Sequence, residues 1–83
     1  MKLVYFAWVR ERIGHAEEEL DLPDDVVTVA DLLAWLAGRG EGYETALKHA
    51  SAIRVAIDQE HVGHDARIEG AREIALFPPM TGG

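Results

Sequence analysis

One segment of this chain, residues 29–37, has the full sequence pattern of an amphipathic helix. Thr28 before it is a good N-cap residue, and Asp31 lies in the first turn, where a carboxylate is favoured. Apolar residues spaced by three and four give the segment one apolar face; they are Val29, Leu32, Leu33 and Leu36. Gly38 and Gly40 then supply the C-terminal stop. This helix is the clearest element in the sequence.

The segments on both sides of this helix have the patterns of strands, with β-branched and aromatic residues or an alternation of side chains. The predicted strands are residues 2–10, 16–22, 53–58 and 73–77. The second is expected to pair with the first as a hairpin and to expose its acidic side chains. Weaker patterns predict a second helix at 43–49 and a short strand within the turn-rich stretch 59–70.

This order of elements predicts an α+β chain with the β-grasp (ubiquitin-like) fold. One main helix would cover one face of a mixed sheet of four or five strands. A ferredoxin-like split fold needs a second crossover helix, which residues 59–70 do not supply. The 83 residues allow one domain. We expect a β-grasp domain at 1–78 and a flexible, extended C-terminal tail at 79–83.

The first strand has apolar side chains on both faces, although one helix can cover only one face of a sheet. We expect the covered face to hold Leu3, Tyr5, Ile74 and Leu76. Phe6, Trp8 and Phe77 would then form an exposed apolar patch, which is typical of a partner site. The alternative is that loops or the second helix cover these residues, which would make them ordinary core.

Charge and composition exclude several classes of function. The chain has 15 acidic and 8 basic residues and a net charge of -7, which disfavours nucleic-acid binding. The absence of cysteine excludes disulfides, thiolate nucleophiles and metal sites built on cysteine. The apolar run from Leu3 to Val9 is too short to span a membrane, so we expect a cytoplasmic location.

The C-terminal tail reads Phe77-Pro78-Pro79-Met80-Thr81-Gly82-Gly83. Proline favours an extended path, and the five residues after Pro78 could span roughly 16–18 Å. Glycines at the tip allow the backbone to enter a channel that a Cβ atom would obstruct. The terminal carboxylate could attack ATP to form an acyl-adenylate, which a sulfur donor could convert to a thiocarboxylate. The alternative is a frayed end that happens to finish in two glycines.

Other groups in the chain have ordinary interpretations. His61 and His64 lie near Asp58 and Asp65, but a solvated polar loop explains them better than a metal site. Residues 38–42 are rich in glycine, but they follow a helix, so they fit a helix stop better than a phosphate loop. We therefore expect no metal, no tightly bound cofactor and no independent active site.

Three motifs together resemble the small subunit of molybdopterin synthase. They are the start Tyr5-Phe6-Ala7-Trp8-Val9-Arg10-Glu11, the helix opening Thr28-Val29-Ala30-Asp31-Leu32, and the ending Phe77 to Gly83. The resemblance covers nearly the whole chain and implies a β-grasp sulfur carrier in molybdenum cofactor biosynthesis. The chain departs from the family pattern at Asp58, where asparagine is usual, at His61, where the family tends to be apolar, and in the turn 68–73.

The resemblance also implies a reaction. An E1-like activating enzyme would use ATP to adenylate Gly83, and a sulfur donor would convert it to a thiocarboxylate. The tail with Gly82 would enter the large subunit, which supplies the catalytic side chains, and sulfur would pass to cyclic pyranopterin monophosphate. Two small and two large subunits would form a heterotetramer. The residues expected at the interface with the large subunit are Phe6, Trp8, Arg10, Phe77, Pro78, Pro79, Met80 and Thr81. Of these, Phe6, Arg10 and Phe77 match interface positions of the family that the chain resembles.

Three other functions remain open at this point. The chain could carry sulfur for another route such as thiamine synthesis, although those carriers tend to be shorter and lack the Phe-Pro-Pro run. It could be a ubiquitin-like modifier whose Gly83 is joined to lysines. It could also be a non-catalytic β-grasp interaction module with an inert tail.

Overall fold

The computed structural model describes residues 1–79, which form one sheet with helices on one side. Five strands make the sheet: β1 (Lys2–Tyr5), β2 (Glu17–Glu19), β3 (Arg54–Ile57), β4 (Glu60–Val62) and β5 (Glu73–Phe77). The helices are α1 (Ala7–Ile13), α2 (Val29–Ala37) and α3 (Glu41–Ala46), with a short 3-10 turn at Ala50–Ala52.

The strand order across the sheet is β2-β1-β5-β3-β4. β1 and β5 lie side by side in parallel, with Leu3 opposite Ile74 and Tyr5 opposite Leu76. All other pairs are antiparallel. The first and last strands therefore occupy the middle of a mixed sheet, which confirms the β-grasp fold predicted from the order of elements.

The core lies between the sheet and the helices. The side chains predicted to face the main helix are all buried there, namely Leu3, Tyr5, Ile74 and Leu76. The apolar stripe of α2 meets them and is likewise buried, namely Val29, Leu32, Leu33 and Leu36. A smaller group from α1, α3 and the strand β3 completes the same cluster.

Helix α2 begins and ends where its sequence signals predict. The Asp31 N–H donates to Thr28 Oγ1 at 3.2 Å, and Asp31 Oδ2 accepts from the backbone N–H of Thr28 and of Val27, each at 3.1 Å. This is a reciprocal capping box that satisfies N–H groups at the start of the helix. The two backbone hydrogen bonds lower the pKa of the Asp31 carboxyl below its ordinary value.

The predicted first strand is wrong beyond Tyr5. Ala7 has a positive φ of 51° and turns the chain into α1, which buries Val9 and Ile13, one turn apart, in the core. Gly14, at φ 97°, ends the helix and donates its N–H to Arg10 O. The sequence predicted a strand at residues 7–10, but a helix forms there because it buries Val9 and Ile13, which are spaced i, i+4. Tertiary packing thus outweighs local propensity.

The acidic second strand also differs from the prediction. β2 pairs with β1 as expected, but Glu18 lies opposite Leu3 and therefore points to the helix side. Its Oε2 accepts from the hydroxyls of Tyr5 at 2.8 Å and Tyr43 at 2.5 Å. Burial, followed by the hydrogen bond to Glu18, raises the pKa of both phenols. Glu18 thus joins the edge strand to β1 and α3 instead of facing solvent.

Helices α1 and α3 approach closely at Gly42. A Cβ atom added there would lie 2.6 Å from Arg12 O, too close for the backbone to accept without a shift. We predict that Gly42→Ala destabilises the protein by about 1–3 kcal/mol, the usual range for overpacking. Denaturant unfolding would measure it. Gly38→Ala is the control, because its added Cβ meets nothing closer than 3.5 Å; an equal cost for both variants would contradict the packing argument.

The Asp31 cap gives a pH-dependent prediction. Because the pKa of the folded carboxyl is lowered, its stabilisation is present above the unfolded value of about 3.9 and is lost as pH falls through the folded pKa. Asp31→Ala should therefore unfold at a lower temperature than wild type near neutral pH, and the gap should narrow in acid. Thermal unfolding over a pH series measures the gap. Asp21→Ala removes the same charge at an exposed position and is the control. If the difference in unfolding temperature between Asp31→Ala and wild type stays constant in acid, Asp31 does not stabilise the helix through its ionised carboxylate.

Candidate functional site: the open face of the sheet

The face of the sheet opposite the core is apolar along its middle. Val4, Ala75 and Ala56 lie side by side on β1, β5 and β3, according to the strand registers. None is large, and Ala56 is buried among its neighbours. The middle of this open face is therefore an apolar surface made of small side chains.

Two aromatic residues, Phe6 and Phe77, lie at the end of this apolar surface, where β1 and β5 end. Phe6 directly follows β1, has extended backbone and donates its N–H to Leu76 O at 3.1 Å, so it continues the pairing beside Phe77. Its side chain is 48% exposed, while Phe77 is half-buried. Phe6 is the one large apolar residue that is exposed within residues 1–79. The structure thus brings together two members of the predicted apolar patch.

Trp8, the third predicted member, does not lie on this face. It is in α1, where it packs partly buried against the core, and the Arg12 guanidinium carbon lies 4.4 Å from its ring centroid. The prediction treated residues 2–10 as one strand, and the turn at Ala7 removes Trp8 from that alternation. Arg10 is exposed on α1 and lies one turn after Phe6, whose carbonyl accepts its N–H.

Polar side chains border Phe77 on the other side. Arg54 of β3 is its direct cross-strand partner, and the ring of His61 on β4 lies 5.1 Å from the Phe77 ring, centroid to centroid. Both side chains are exposed. Sequence reasoning missed Arg54 and assigned His61 to a polar loop. The outward side of the 53–58 alternation carried a signal for Arg54, but only the strand register places it beside Phe77.

His61 and His64 do not share a site. His64 Nε2 lies 2.7 Å from Ile53 O, whereas the His61 ring contacts Phe77. Within residues 1–79, the structure brings together no group of three or more potential metal ligands. Every buried side-chain nitrogen or oxygen there has a hydrogen-bond partner. The same residues include no helix long and apolar enough to cross a membrane.

The turns that depart from the family pattern are well formed. Asp58 and Gln59 connect β3 to β4 with positive φ angles of 49° and 71°, a conformation that Asp tolerates better than most residues. Asp58 Oδ1 accepts from the backbone N–H of Arg72 and of Glu73, both at 2.9 Å. An aspartate here therefore fixes the start of β5, and Gly70 takes the positive φ that the preceding turn requires.

The tail begins at the edge where the aromatic rings stand. β5 ends at Phe77, and Pro78 and Pro79 follow it half-buried, outside any strand. The predicted site residues Met80, Thr81, Gly82 and Gly83 lie outside the described residues. The open face with Phe6 and Phe77 is thus next to the point from which the C-terminal residues continue.

Comparison with known proteins assigns this chain to a family. The model of the ThiS family matches residues 3–83, nearly the whole sequence. The chain belongs to the ThiS family. Two relatives, each named molybdopterin synthase sulfur carrier subunit, are 34% identical in Haemophilus influenzae and 31% identical in Escherichia coli. In both cases the similarity covers 100% of this chain and 99% of the relative.

A solved structure supports the same fold for this ThiS-family chain. Small archaeal modifier protein 1 from Haloferax volcanii superposes with a TM-score of 0.71 at 27% identity. The match covers 96% of this chain and 97% of that one. The resemblance stated from the sequence motifs is thereby confirmed at the level of family and fold, while the roles of individual residues remain predictions.

The open face can be tested by comparing residues that are adjacent but point to opposite sides. Leu76→Ala, on the core side, should cost about 2–5 kcal/mol of stability. Phe6→Ala, whose N–H bonds to Leu76 O but whose ring is exposed, should change stability by less than about 0.5 kcal/mol. Chemical unfolding measures both. A loss for Phe6→Ala as large as that for Leu76→Ala would mean that Phe6 is part of the core.

Proposed function

We propose that this chain is the sulfur-carrier subunit of a cytoplasmic molybdopterin synthase, and that Gly83 carries the sulfur. The observation that carries the proposal is the full-length similarity to sulfur carrier subunits of that enzyme. The position of the open face supports it, because the exposed Phe6 and its neighbour Phe77 lie where the chain leaves the sheet toward its C-terminus. A carrier needs a docking surface close to the end that it delivers.

The proposed chemistry starts at the Gly83 carboxylate. Its oxygen attacks the α-phosphorus of ATP in an E1-like activating enzyme, and pyrophosphate leaves. A sulfur donor at the oxidation level of sulfide then attacks the acyl carbon, AMP leaves, and a thiocarboxylate remains. That sulfur bonds to a carbon of cyclic pyranopterin monophosphate as a carbon–oxygen bond at the same carbon breaks and its oxygen leaves, and water then hydrolyses the resulting acyl–sulfur bond. The sulfur stays on the pterin, the glycine carboxylate is regenerated, and a second carrier supplies the second sulfur.

The large subunit would supply the catalytic side chains in this scheme. The described part of the chain consists of a packed core, buried polar side-chain atoms that are hydrogen-bonded, and an open sheet face with small apolar side chains along its middle. An open sheet face suits docking better than enclosure of a small substrate, because substrate pockets are concave. The small subunit would therefore act as an enzyme only within the complex, assembled as two small and two large subunits.

Intact-mass spectrometry tests the carrier step. After incubation with the activating enzyme, ATP and a sulfur donor, the mass should rise by the difference between one sulfur and one oxygen, because the carboxylate becomes a thiocarboxylate. Tandem spectrometry should place the change on Gly83. A variant with one alanine added after Gly83 is the control, and it should keep its fold and gain no sulfur.

Two results would contradict the proposal. One is an unchanged mass in the complete reaction, which would favour an interaction module with an inert tail. The other is an amide bond from Gly83 to lysines of other proteins without transfer to the pterin. That outcome would show that the chain is a protein modifier. This is the main alternative function, because the chain shares its fold with the archaeal modifier protein.

A further inference from the structure

Charge is unevenly distributed on the open face. Toward the β2 side, Lys2 lies 4.0 Å from Glu17 and 3.7 Å from Glu73, so its charge is locally matched. At the aromatic end Arg54 is the cross-strand partner of Phe77, and Arg10 lies on α1 one turn after Phe6; both side chains are exposed. Within residues 1–79, neither guanidinium has a carboxylate oxygen within 4.0 Å.

The absence of a nearby carboxylate does not by itself distinguish these two arginines, because Arg12 and Arg72 also have none within 4.0 Å among residues 1–79. Carboxylates are available throughout the sequence, and Arg39, Arg67 and Lys2 each have one nearby. Arg54 differs from the other arginines in its position, because it is the direct cross-strand partner of Phe77. Arginine and aromatic residues are enriched together at protein interfaces. The planar guanidinium of arginine also pairs well with a carboxylate of a partner.

Of the two arginines, Arg54 is better placed to contact a partner protein bound at Phe77. It is the direct cross-strand neighbour of Phe77, and the His61 ring packs against the same phenyl ring. A segment that covered Phe77 would therefore contact Arg54 and partly desolvate it. A guanidinium removed from water favours a partner that supplies an opposite charge, because an unpaired charge in an interface is costly.

We propose that Arg54 determines specificity on this docking surface by pairing with a carboxylate of the large subunit. That carboxylate would border an apolar segment that covers Phe6 and Phe77. The inference rests on the proposed function for the identity of the partner. It adds the chemistry of the partner surface, which is apolar at its centre and acidic beside β3. Arg10 would meet the same surface from α1, at the opposite edge of the aromatic pair.

Calorimetric titration of the large subunit from the same organism tests this inference. Arg54→Glu should weaken binding by at least about fivefold at low ionic strength, because it replaces attraction with repulsion. The difference should shrink at high ionic strength, where exposed charges are screened. Arg54→Ala should show a smaller loss in the same direction.

Arg72→Glu and Arg72→Ala are the matched controls. Arg72 is also exposed and has no carboxylate within 4.0 Å among the described residues, but it precedes β5. Phe77 lies five positions further along the chain, roughly 16 Å away in an extended strand. Its variants should bind like wild type, and circular dichroism should show that all four variants are folded.

Phe77→Ala separates this inference from the function on which it rests. If wild type binds and Phe77→Ala weakens binding, the docking face is established. A loss of affinity for the two Arg54 variants but not for the two Arg72 variants then supports the inference. If Arg54→Glu binds like wild type, or if Arg72→Glu loses as much affinity, the Arg54 assignment is wrong although the docking face stands. If wild type does not bind the large subunit at all, both proposals are overturned.

Discussion

The parallel pairing of β1 with β5 is the constraint on which the rest of this structure depends. It brings residues from the two ends of the chain into contact, with Leu3 opposite Ile74 and Tyr5 opposite Leu76, all buried. Parallel strands end at the same edge of a sheet and require a long crossover between them. The intervening helices and strands supply that crossover, and Phe6 and Phe77 meet where both strands end.

Polar contacts outside the proposed site hold the edge strand β2 and the start of the central strand β5. Glu18 joins β2 to Tyr5 and Tyr43, and Asp58 caps the start of β5 through two backbone N–H groups. These interactions use carboxylates of an acidic chain to fix the register of neighbouring elements. Among residues 1–79, no carboxylate makes such a contact at the aromatic end of the open face, where Phe6 and Arg54 are exposed.

The sequence predicted some parts of the site and missed others for identifiable reasons. Phe6 and Phe77 followed from alternation along strands, because period-2 side chains reveal which residues share a face. Trp8 was wrongly placed with them, because alternation was continued past Ala7, where the backbone turns into α1. Arg54 was missed because a cross-strand neighbour depends on register, which a single strand does not encode.

The sequence by itself determined the elements whose signals are local. Helix α2 has the bounds that its cap, stripe and glycine stop predicted, and β5 ends before Pro78, which cannot donate to a ladder. The motifs at the two ends likewise indicated the family. Tertiary structure decided the fate of residues 7–13 and of Glu18, whose environment comes from segments distant in sequence. Residues 7–10 were predicted as part of a strand, but residues 7–13 form a helix because packing against α3 and the core stabilises Val9 and Ile13, a contact that no local pattern contains.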